Sequence, residues 1–177
     1  MKIITISGKA ESGKDTSANL IKEELEDRGY SVLICHYGDL LKYICKQFFG
    51  WNGEKDNYGR SLLQRVGTEV IRKQEPDYWV NFLKSIFGFF KNEWDYVLIP
   101  DARFPNEIDV LLDDFDVISV KIERPNYENH LTEEQRKHPS ENALNSYNFK
   151  YVITNPGTIE GLKEKIKMLG KEMEKYG

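Results

Sequence analysis

The sequence predicts an α/β fold of three layers, in which a five-stranded parallel sheet is flanked by helices. Short runs rich in β-branched residues alternate with longer segments whose apolar residues recur at helical spacing. Strands that alternate with helices form parallel sheets covered on both faces. A glycine-rich loop also follows the first of these runs, at the strand end where such sheets bind ligands. The functional residues are therefore expected at the carboxyl ends of the strands.

The first strand and helix are the clearest elements. Residues Lys2–Ser7 form a β-branched run that stops at the glycine loop. The next helix is predicted from Lys14 to about Asp27, and Gly29 closes it.

The remaining elements follow in order. Further strands are predicted at Tyr30–Tyr37, Tyr96–Pro100, Val117–Ile122 and Lys150–Thr154. Further helices are predicted at about Leu40–Phe49, Arg60–Lys73 and Asp77–Lys91, from Pro105–Asn106 onwards, and at Thr158–Tyr176.

Length and composition restrict the class of protein. A chain of 177 residues, 40% hydrophobic and 31% charged, suits one globular domain. The net charge of −4 argues against a general nucleic-acid surface, which needs an excess of Lys and Arg. No apolar run reaches the length of a signal peptide or a membrane span. With only Cys35 and Cys45, and no histidine pair at metal spacing, we expect a reduced cytoplasmic protein.

The stretch "GKAESGKDT" carries the strongest motif. Gly8, Gly13 and Lys14 match a phosphate-binding loop, but Asp15 stands where a Ser or Thr is usual, and Thr16 follows it. Its location between a predicted strand and a helix favours a nucleotide site, since backbone N–H groups and the helix N-terminus then face the phosphates. The alternative is an ordinary glycine turn before a helix.

Charged residues follow the next two strands. Asp39 and Lys42 come after the second strand and suit a substrate contact, although Asp39 is equally suited to cap the helix at Leu40. Asp101 follows the third strand directly, as a carboxylate that holds magnesium through water does in nucleotide hydrolases or kinases, with Arg103 two residues on. The alternative for Asp101 is a loop cap.

The last two strand ends carry a long polar connection and a tight turn. The connection at about 124–145 is predicted to be a lid, in which Arg124 and Arg136 close on the phosphates. The alternative is a charged helix exposed to solvent. The stretch "TNPGT", with Asn155 and Gly157, is predicted as a turn beside a nucleotide base, although a helix cap at Thr158 alone would explain it.

Together, "GKAESGKDT", "GRSLLQRVGTEVIR", Trp79, "DARFPNE", "ERP", "HPSE" and "TNPGT" resemble the deoxynucleoside monophosphate kinases of bacteriophage type, from Ile3 to about Leu162. The resemblance implies one P-loop kinase domain of adenylate-kinase-like fold over residues 1–177. It also implies a monophosphate-binding helical subdomain at about 38–91. The implied ATP-binding residues are Gly8, Ala10, Ser12, Gly13, Lys14, Asp15, Thr16, Asn155 and Gly157.

The same resemblance implies that Asp15 is a variant metal ligand. A carboxylate is a hard oxygen ligand that suits Mg²⁺ directly or through water, with Asp101 as the second metal residue. Thr16, one step further into the helix, is then free to donate to an α-phosphate.

The resemblance also implies the acceptor site. Arg60, Gln64, Thr68 and Arg72 recur at spacings that share one helix face and suit a phosphate and a base edge. Trp79 suits either a stacking wall or plain core packing. The full set of implied substrate residues is Asp39, Lys42, Arg60, Gln64, Thr68, Glu69, Arg72, Trp79 and Arg103.

We expect transfer of the γ-phosphate of ATP to a deoxynucleoside monophosphate, with Mg²⁺ as cofactor and ATP and the monophosphate as partners. The predicted catalytic residues are Lys14, Arg103, Arg124 and Arg136. A kinase of another phosphorylated acceptor, such as phosphomevalonate, and a nucleotide-binding regulatory protein remain alternatives. The last helix carries Met168 and Met173, and it is expected to pack either on the sheet or on a second subunit. The second arrangement would make the protein a homodimer.

Overall fold

The protein, described from a computed structural model, contains one sheet of five parallel strands in the order β2-β3-β1-β4-β5. The backbone is described for residues 1–176 and the side chains for residues 1–173, so Gly177, the end of the predicted domain, lies outside. The strands are β1 (Lys2–Ser7), β2 (Val32–Ile34), β3 (Tyr96–Ile99), β4 (Asp116–Glu123) and β5 (Tyr151–Thr154). All five predicted strands are confirmed. However, β2 is much shorter than Tyr30–Tyr37, because its pairing with β3 covers only three residues.

The helices agree with the predicted ones except in the middle of the chain. They are α1 (Lys14–Glu26), α2 (Gly38–Phe49), α3 (Asn57–Gln64), α4 (Tyr78–Phe89), α5 (Asn106–Leu112), α6 (Glu133–Lys137), α7 (Pro139–Asn142) and α8 (Ile159–Tyr176). The segment Arg65–Arg72, directly after α3, is a π-helix, so the prediction of one regular helix over Arg60–Lys73 was wrong.

Tertiary contacts account for the irregular turn. Trp79 Nε1 donates to the carbonyl oxygen of Gly67 at 3.1 Å, and a Cβ on Gly67 would lie 2.6 Å from Leu41 Cδ2. The helix therefore bends around two side chains from other elements. Segments of π-helix are rare and are frequent at functional sites.

The two faces of the sheet carry separate cores because successive strand residues point to opposite sides. Ile4 and Ile6 pack with α1 and α8, and the partly buried Met173 joins this cluster, while Met168 is exposed. Ile3 packs on the other face with α4 and α5. The result is the predicted three-layer arrangement.

A third, smaller core lies inside the helical region between β2 and β3. It consists of Cys45, Trp51, Leu62 and Val66, all buried. Trp51 is the largest of these residues, and it anchors a loop before α3 that borders the site described below. No helix in residues 1–176 has the length and apolar character needed to cross a membrane.

Candidate active site

The loop between β1 and α1 is closed by its own lysine. Lys14 Nζ donates to the carbonyl oxygens of Gly8 and Lys9 at 2.9 and 2.7 Å. The residue is 7% exposed, and burial, followed by the charge of Arg103, lowers the pKa of Lys14 to about 7. A phosphate beside this ammonium would favour its charged form, so the buried lysine is suited to bind an anion.

Both loop glycines are required by close contacts as well as by their backbone angles. Gly8 and Gly13 have φ angles of +149° and +100°. A Cβ on Gly8 would lie 2.4 Å from the Ile122 carbonyl oxygen, and one on Gly13 would lie 2.6 Å from Asn155 Nδ2. A larger residue at position 8 would displace the backbone of β4, and one at position 13 would displace the Asn155 side chain.

Asn155 ties the end of β5 to the phosphate loop. Its Nδ2 donates to the Ser12 carbonyl oxygen at 2.8 Å, and its Oδ1 accepts the N–H of Gly157 at 2.9 Å. The residue is buried, with an exposed fraction of 8%. Asn155 therefore shapes the site as well as lining it.

One cleft, here called the loop cleft, opens beside the N-terminus of α1. It has a volume of about 330 Å³. The predicted residues that line it are Gly13, Lys14, Asp15, Thr16, Arg124, Asn155 and Gly157. The guanidinium of Arg124 lies 3.9 Å from the centre of the Tyr127 ring. Of the other predicted ATP residues, Gly8 and Ser12 belong to the loop itself, and Ala10 faces a second cleft.

That second cleft, here called the helical cleft, lies between the phosphate loop and the helical region. It has a volume of about 410 Å³. The predicted residues that line it are Lys42, Arg60, Gln64, Thr68, Arg72, Trp79 and Arg103. Asp39 and Glu69 are exposed and do not belong to its lining. Trp79 packs in the core, as one of its two sequence interpretations predicts. It also borders the cleft, and its role as a stacking wall stays a prediction.

The two clefts meet at the phosphate loop. Glu11, Lys14 and Asp15 line both of them. A group held in one cleft therefore faces a group held in the other across these three side chains.

Arg72 is held by a buried carboxylate that the sequence analysis did not identify. Glu107, 3% exposed, forms an ion pair with Arg72 and accepts the backbone N–H groups of Arg103 at 2.6 Å and Phe104 at 3.1 Å. Burial raises the pKa of Glu107 to about 7, while the charge of Arg72 opposes this shift. The Arg72 guanidinium also stacks on the Phe104 ring at 4.0 Å. Arg72 is therefore largely committed to the wall of the cleft.

Arg103 is held in a similar way by Glu141, which also went unidentified. Arg103 Nη1 donates to Glu141 Oε1 at 2.5 Å, and Glu141 Oε2 accepts the N–H of Ala10 at 3.0 Å. Lys9 Nζ donates to the Glu141 carbonyl oxygen at 2.5 Å and to Asn142 Oδ1 at 3.0 Å. Helix α7 is thus docked on the phosphate loop.

Lys55 lines the helical cleft from a loop that is fixed on both sides. Trp51 Nε1 donates to the Glu54 carbonyl oxygen at 2.8 Å, and Arg60 Nε donates to that of Lys55 at 2.9 Å. Asp56 caps α3 by accepting the N–H of Gly59. Among the described side chains, Lys55 Nζ has neither an ion pair nor a hydrogen bond. Lys55 is not recognisable from the sequence, because an isolated lysine belongs to no motif or periodic pattern.

Asp15 belongs to a chain of charges at the junction of the clefts. His36 Nε2 lies 3.2 Å from Asp15 Oδ1, and His36 Nδ1 lies 3.3 Å from Asp39 Oδ2. Lys42 Nζ donates to Asp39 Oδ1 at 2.7 Å. The contact with His36 lowers the pKa of Asp15 and raises that of His36. Asp39 therefore serves this network and does not cap α2.

Asp101 caps α2 from the neighbouring strand end. Its Oδ1 accepts the N–H of Tyr37 and its Oδ2 that of Gly38, both at 2.9 Å. Each oxygen keeps a lone pair for water. Among the side chains of residues 1–173, no group of three His, Cys, Asp or Glu is suited to hold a metal. Mg²⁺ at nucleotide sites is usually held by one or two carboxylates and the substrate phosphates, and the exposed Asp15 carboxylate fits that role.

The predicted lid contacts the phosphate loop through Glu11. Glu11 Oε2 accepts from Tyr127 Oη at 3.2 Å and lies 2.9 Å from His130 Nδ1. Arg136, in contrast, is exposed and donates to the Asn129 side chain and carbonyl oxygen. It lines neither cleft, because it extends from the side of α6 that faces solvent.

Solved structures with a similar fold include several kinases. A sugar kinase from Janibacter sp. HTCC2649 superposes with a TM-score of 0.58 at 15% identity, covering 95% of this chain and 93% of that one. An APS kinase of Mycobacterium tuberculosis superposes with a TM-score of 0.51 at 14% identity, covering 96% of each chain. The fold is therefore the three-layer P-loop kinase fold.

Two sequence comparisons point to one branch of these kinases. A curated relative, the deoxynucleotide monophosphate kinase of Enterobacteria phage T4, is 30% identical over 110 residues. The match covers 61% of this chain but only 43% of that relative's length. The family model for deoxynucleotide monophosphate kinase matches residues 37–166, which include Arg103, the lid and the part of the helical cleft that follows β2, but not the phosphate loop. With most of its length matched, this chain belongs to the deoxynucleotide monophosphate kinase family.

Proposed function

We propose that this protein transfers the γ-phosphoryl group of ATP to a deoxynucleoside monophosphate, giving ADP and a deoxynucleoside diphosphate. The observation that carries the proposal is the meeting of two clefts at Glu11, Lys14 and Asp15. A phosphoryl group can pass between two nucleotides only if both are held in line with little water between them. Family membership supports the choice of acceptor.

In this proposal the loop cleft holds ATP. The loop N–H groups and Lys14 bind the β- and γ-phosphates, for which Lys14 leaves its contacts with the loop carbonyls. Thr16 donates to the α-phosphate, and Arg124 closes the cleft from the lid.

The helical cleft holds the monophosphate. Arg60 and Arg103 bind its phosphate, and Gln64 and Thr68 contact the base. Arg72 supports this wall through its ion pair with Glu107, and Trp79 forms its floor. We leave Arg136 out of the catalytic set because it is bonded to Asn129 outside both clefts.

The reaction needs neither a side-chain nucleophile nor a general base. An oxygen of the acceptor phosphate, already ionised at neutral pH, forms the new P–O bond as the bond between the γ-phosphorus and the β–γ bridging oxygen breaks. The residues contribute by holding the groups in line and by balancing charge. Mg²⁺, held by Asp15 and through water by Asp101, would supply further positive charge at the phosphates.

A kinase of a non-nucleotide phosphorylated acceptor, or a regulatory nucleotide-binding protein, is less well supported. Gln64 and Trp79 in one cleft favour an acceptor that carries a base, and a regulatory protein has no need of the second cleft. We further propose that the protein acts in the cytoplasm, where ATP and deoxynucleotides occur and where Cys35 and Cys45, both free thiols, stay reduced.

The test is ADP formation from Mg-ATP with each common deoxynucleoside and ribonucleoside monophosphate supplied separately. Turnover that depends on one or a few deoxynucleoside monophosphates is the expected result. ATP binding without turnover on any nucleotide would favour a different acceptor. Absence of ATP binding would show that the Asp15 loop is inactive.

A further inference from the structure

We propose that Glu141 is a positioning residue for phosphoryl transfer, which fixes Arg103 relative to the phosphate loop. The inference rests on the proposed function. One carboxylate oxygen accepts from Arg103 Nη1 at 2.5 Å and the other from the Ala10 N–H at 3.0 Å. Ala10 belongs to the phosphate loop and Arg103 to the wall of the helical cleft, so a single carboxylate connects the phosphate loop to that wall.

Burial and further hydrogen bonds hold this connection in place. The Glu141 side chain is only 7% exposed, and Lys9 Nζ holds its backbone by donating to the Glu141 carbonyl oxygen and to Asn142 Oδ1. A buried carboxylate is stable when its charge is paired and its oxygens accept hydrogen bonds, and both conditions hold here. If the Glu141 side chain moved away, Arg103 Nη1 and the Ala10 N–H would lose the acceptor that they share.

The geometry also determines which edge of Arg103 remains available. The Nη1 group is used by Glu141 and lies 3.5 Å from the Ser140 carbonyl oxygen. The Nε and Nη2 groups have no hydrogen-bond partner among the described residues. These two groups form the fork that binds a phosphate through two parallel hydrogen bonds. Glu141 thus engages one end of the guanidinium and leaves the phosphate-binding edge of Arg103, which lines the helical cleft, without a competing bond to Glu141.

An opposing interpretation is that Glu141 imitates a phosphate and blocks the site until ATP displaces it. The two interpretations predict opposite effects of removing the carboxylate. If Glu141 blocks the phosphate site, removing its carboxylate would open that site, and Glu141→Ala would bind ATP more tightly or react faster. If Glu141 instead positions Arg103, the same variant would react more slowly, because Arg103 would no longer be held in place.

The experiment compares Glu141→Gln and Glu141→Ala with the control Glu133→Gln, which removes a carboxylate from α6 that is 82% exposed and forms an ion pair with Lys137. We expect Glu141→Gln to lower kcat by about tenfold or more, the effect of one charged hydrogen bond, with the ATP dissociation constant changed less than about twofold. Glu133→Gln should match the wild type. Hydrogen exchange of the Ala10 amide should accelerate in Glu141→Ala and not in the control.

A double-mutant cycle with Arg103→Lys identifies the pathway. Lysine keeps the charge but lacks the fork, so the effect of Glu141→Gln should fall to about twofold or less in that background. Additive effects, an unchanged kcat, or faster reaction in Glu141→Ala would overturn the inference. A wild-type protein that is inactive on every deoxynucleotide would refute the proposed function itself, whereas an active wild type with an equally active Glu141→Gln would refute only the role of Glu141.

Discussion

Asp15 occupies the position where phosphate loops of this spacing carry serine or threonine. Its side chain is 77% exposed at the junction of the two clefts, and the hydrogen bond with His36 lowers its pKa. A carboxyl group with a lowered pKa is ionised at neutral pH and is a stronger magnesium ligand than a hydroxyl. The substitution is therefore consistent with a working metal site.

Asp15→Asn should lower kcat/KM for Mg-ATP by about tenfold or more, because the neutral amide binds Mg²⁺ weakly while keeping the size and the contact with His36. The Mg²⁺ concentration that gives half-maximal activity should rise. A magnesium titration of the initial rate measures both. Asp27→Asn, directly after the other end of α1, is the control. An unchanged magnesium dependence would contradict the role of Asp15.

Lys55 has an unpaired ammonium among the described residues of the helical cleft, on a loop fixed by Trp51 and Arg60. We predict that Lys55→Met lowers kcat/KM for the acceptor by about tenfold, the contribution of one charged hydrogen bond to phosphate. Lys46→Met is the matched control, since Lys46 lies over the Trp51 ring and outside the cleft lining. Steady-state kinetics at varied monophosphate concentration measure kcat/KM for the acceptor in both variants. Equal effects of the two variants would exclude a specific role for Lys55.

At the scale of elements, the loop before α3 and the π-helix after it form one wall of the helical cleft. The loop approaches α3 so closely that a Cβ on Gly59 would lie 2.0 Å from the Glu54 carbonyl oxygen. This carbonyl also accepts from Trp51 Nε1, which fills the small core of the helical region. Gly59 is therefore needed for packing.

Two glycine-to-alanine variants separate packing from helix propensity. Gly59→Ala should destabilise the protein by more than about 1 kcal/mol, since backbone has to move. Gly88→Ala, in α4 with nothing within 4 Å of the added Cβ, should stabilise it by about 0.5–1 kcal/mol. Urea unfolding measures both. The same sign of change in the two variants would contradict the packing argument.

At the scale of the whole molecule, the order of the strands assembles the site. Because β1 lies between β3 and β4, the phosphate loop is flanked by the segments that carry Asp101 and Arg124. The lid then returns across the loop through Glu11 and Glu141. Both clefts therefore lie at one edge of the sheet, with the phosphate loop as their common wall.

Filling both clefts should stabilise the protein more than filling either one. A non-hydrolysable ATP analogue at about 100 times its dissociation constant adds about 2.7 kcal/mol, which corresponds to a rise in Tm of roughly 5–10 °C. An accepted deoxynucleoside monophosphate should raise Tm further in the presence of the analogue. Thermal unfolding with each ligand alone and with both is the measurement. A monophosphate that competes with the analogue would mean that there is a single nucleotide site.

Local patterns in the sequence were sufficient for the sheet, for most helices and for the phosphate loop. Strand and helix periodicities are local properties, and the motif around Lys14 specifies its own backbone through Gly8 and Gly13. The rule that parallel sheets bind at strand ends then directed attention to Asp101 and Arg103.

Only the tertiary structure decided how the charges are paired. Glu141 reaches Ala10 across 131 residues and Arg103 across 38, and Glu107 reaches Arg72 across 35. The π-helical turn likewise depends on contacts of Gly67 with Leu41 and Trp79. Such pairs have no periodicity along the chain, because burial in the assembled fold selects them. The sequence by itself determined the architecture and the phosphate loop, whereas the fold determined which arginines remain free to bind a phosphate.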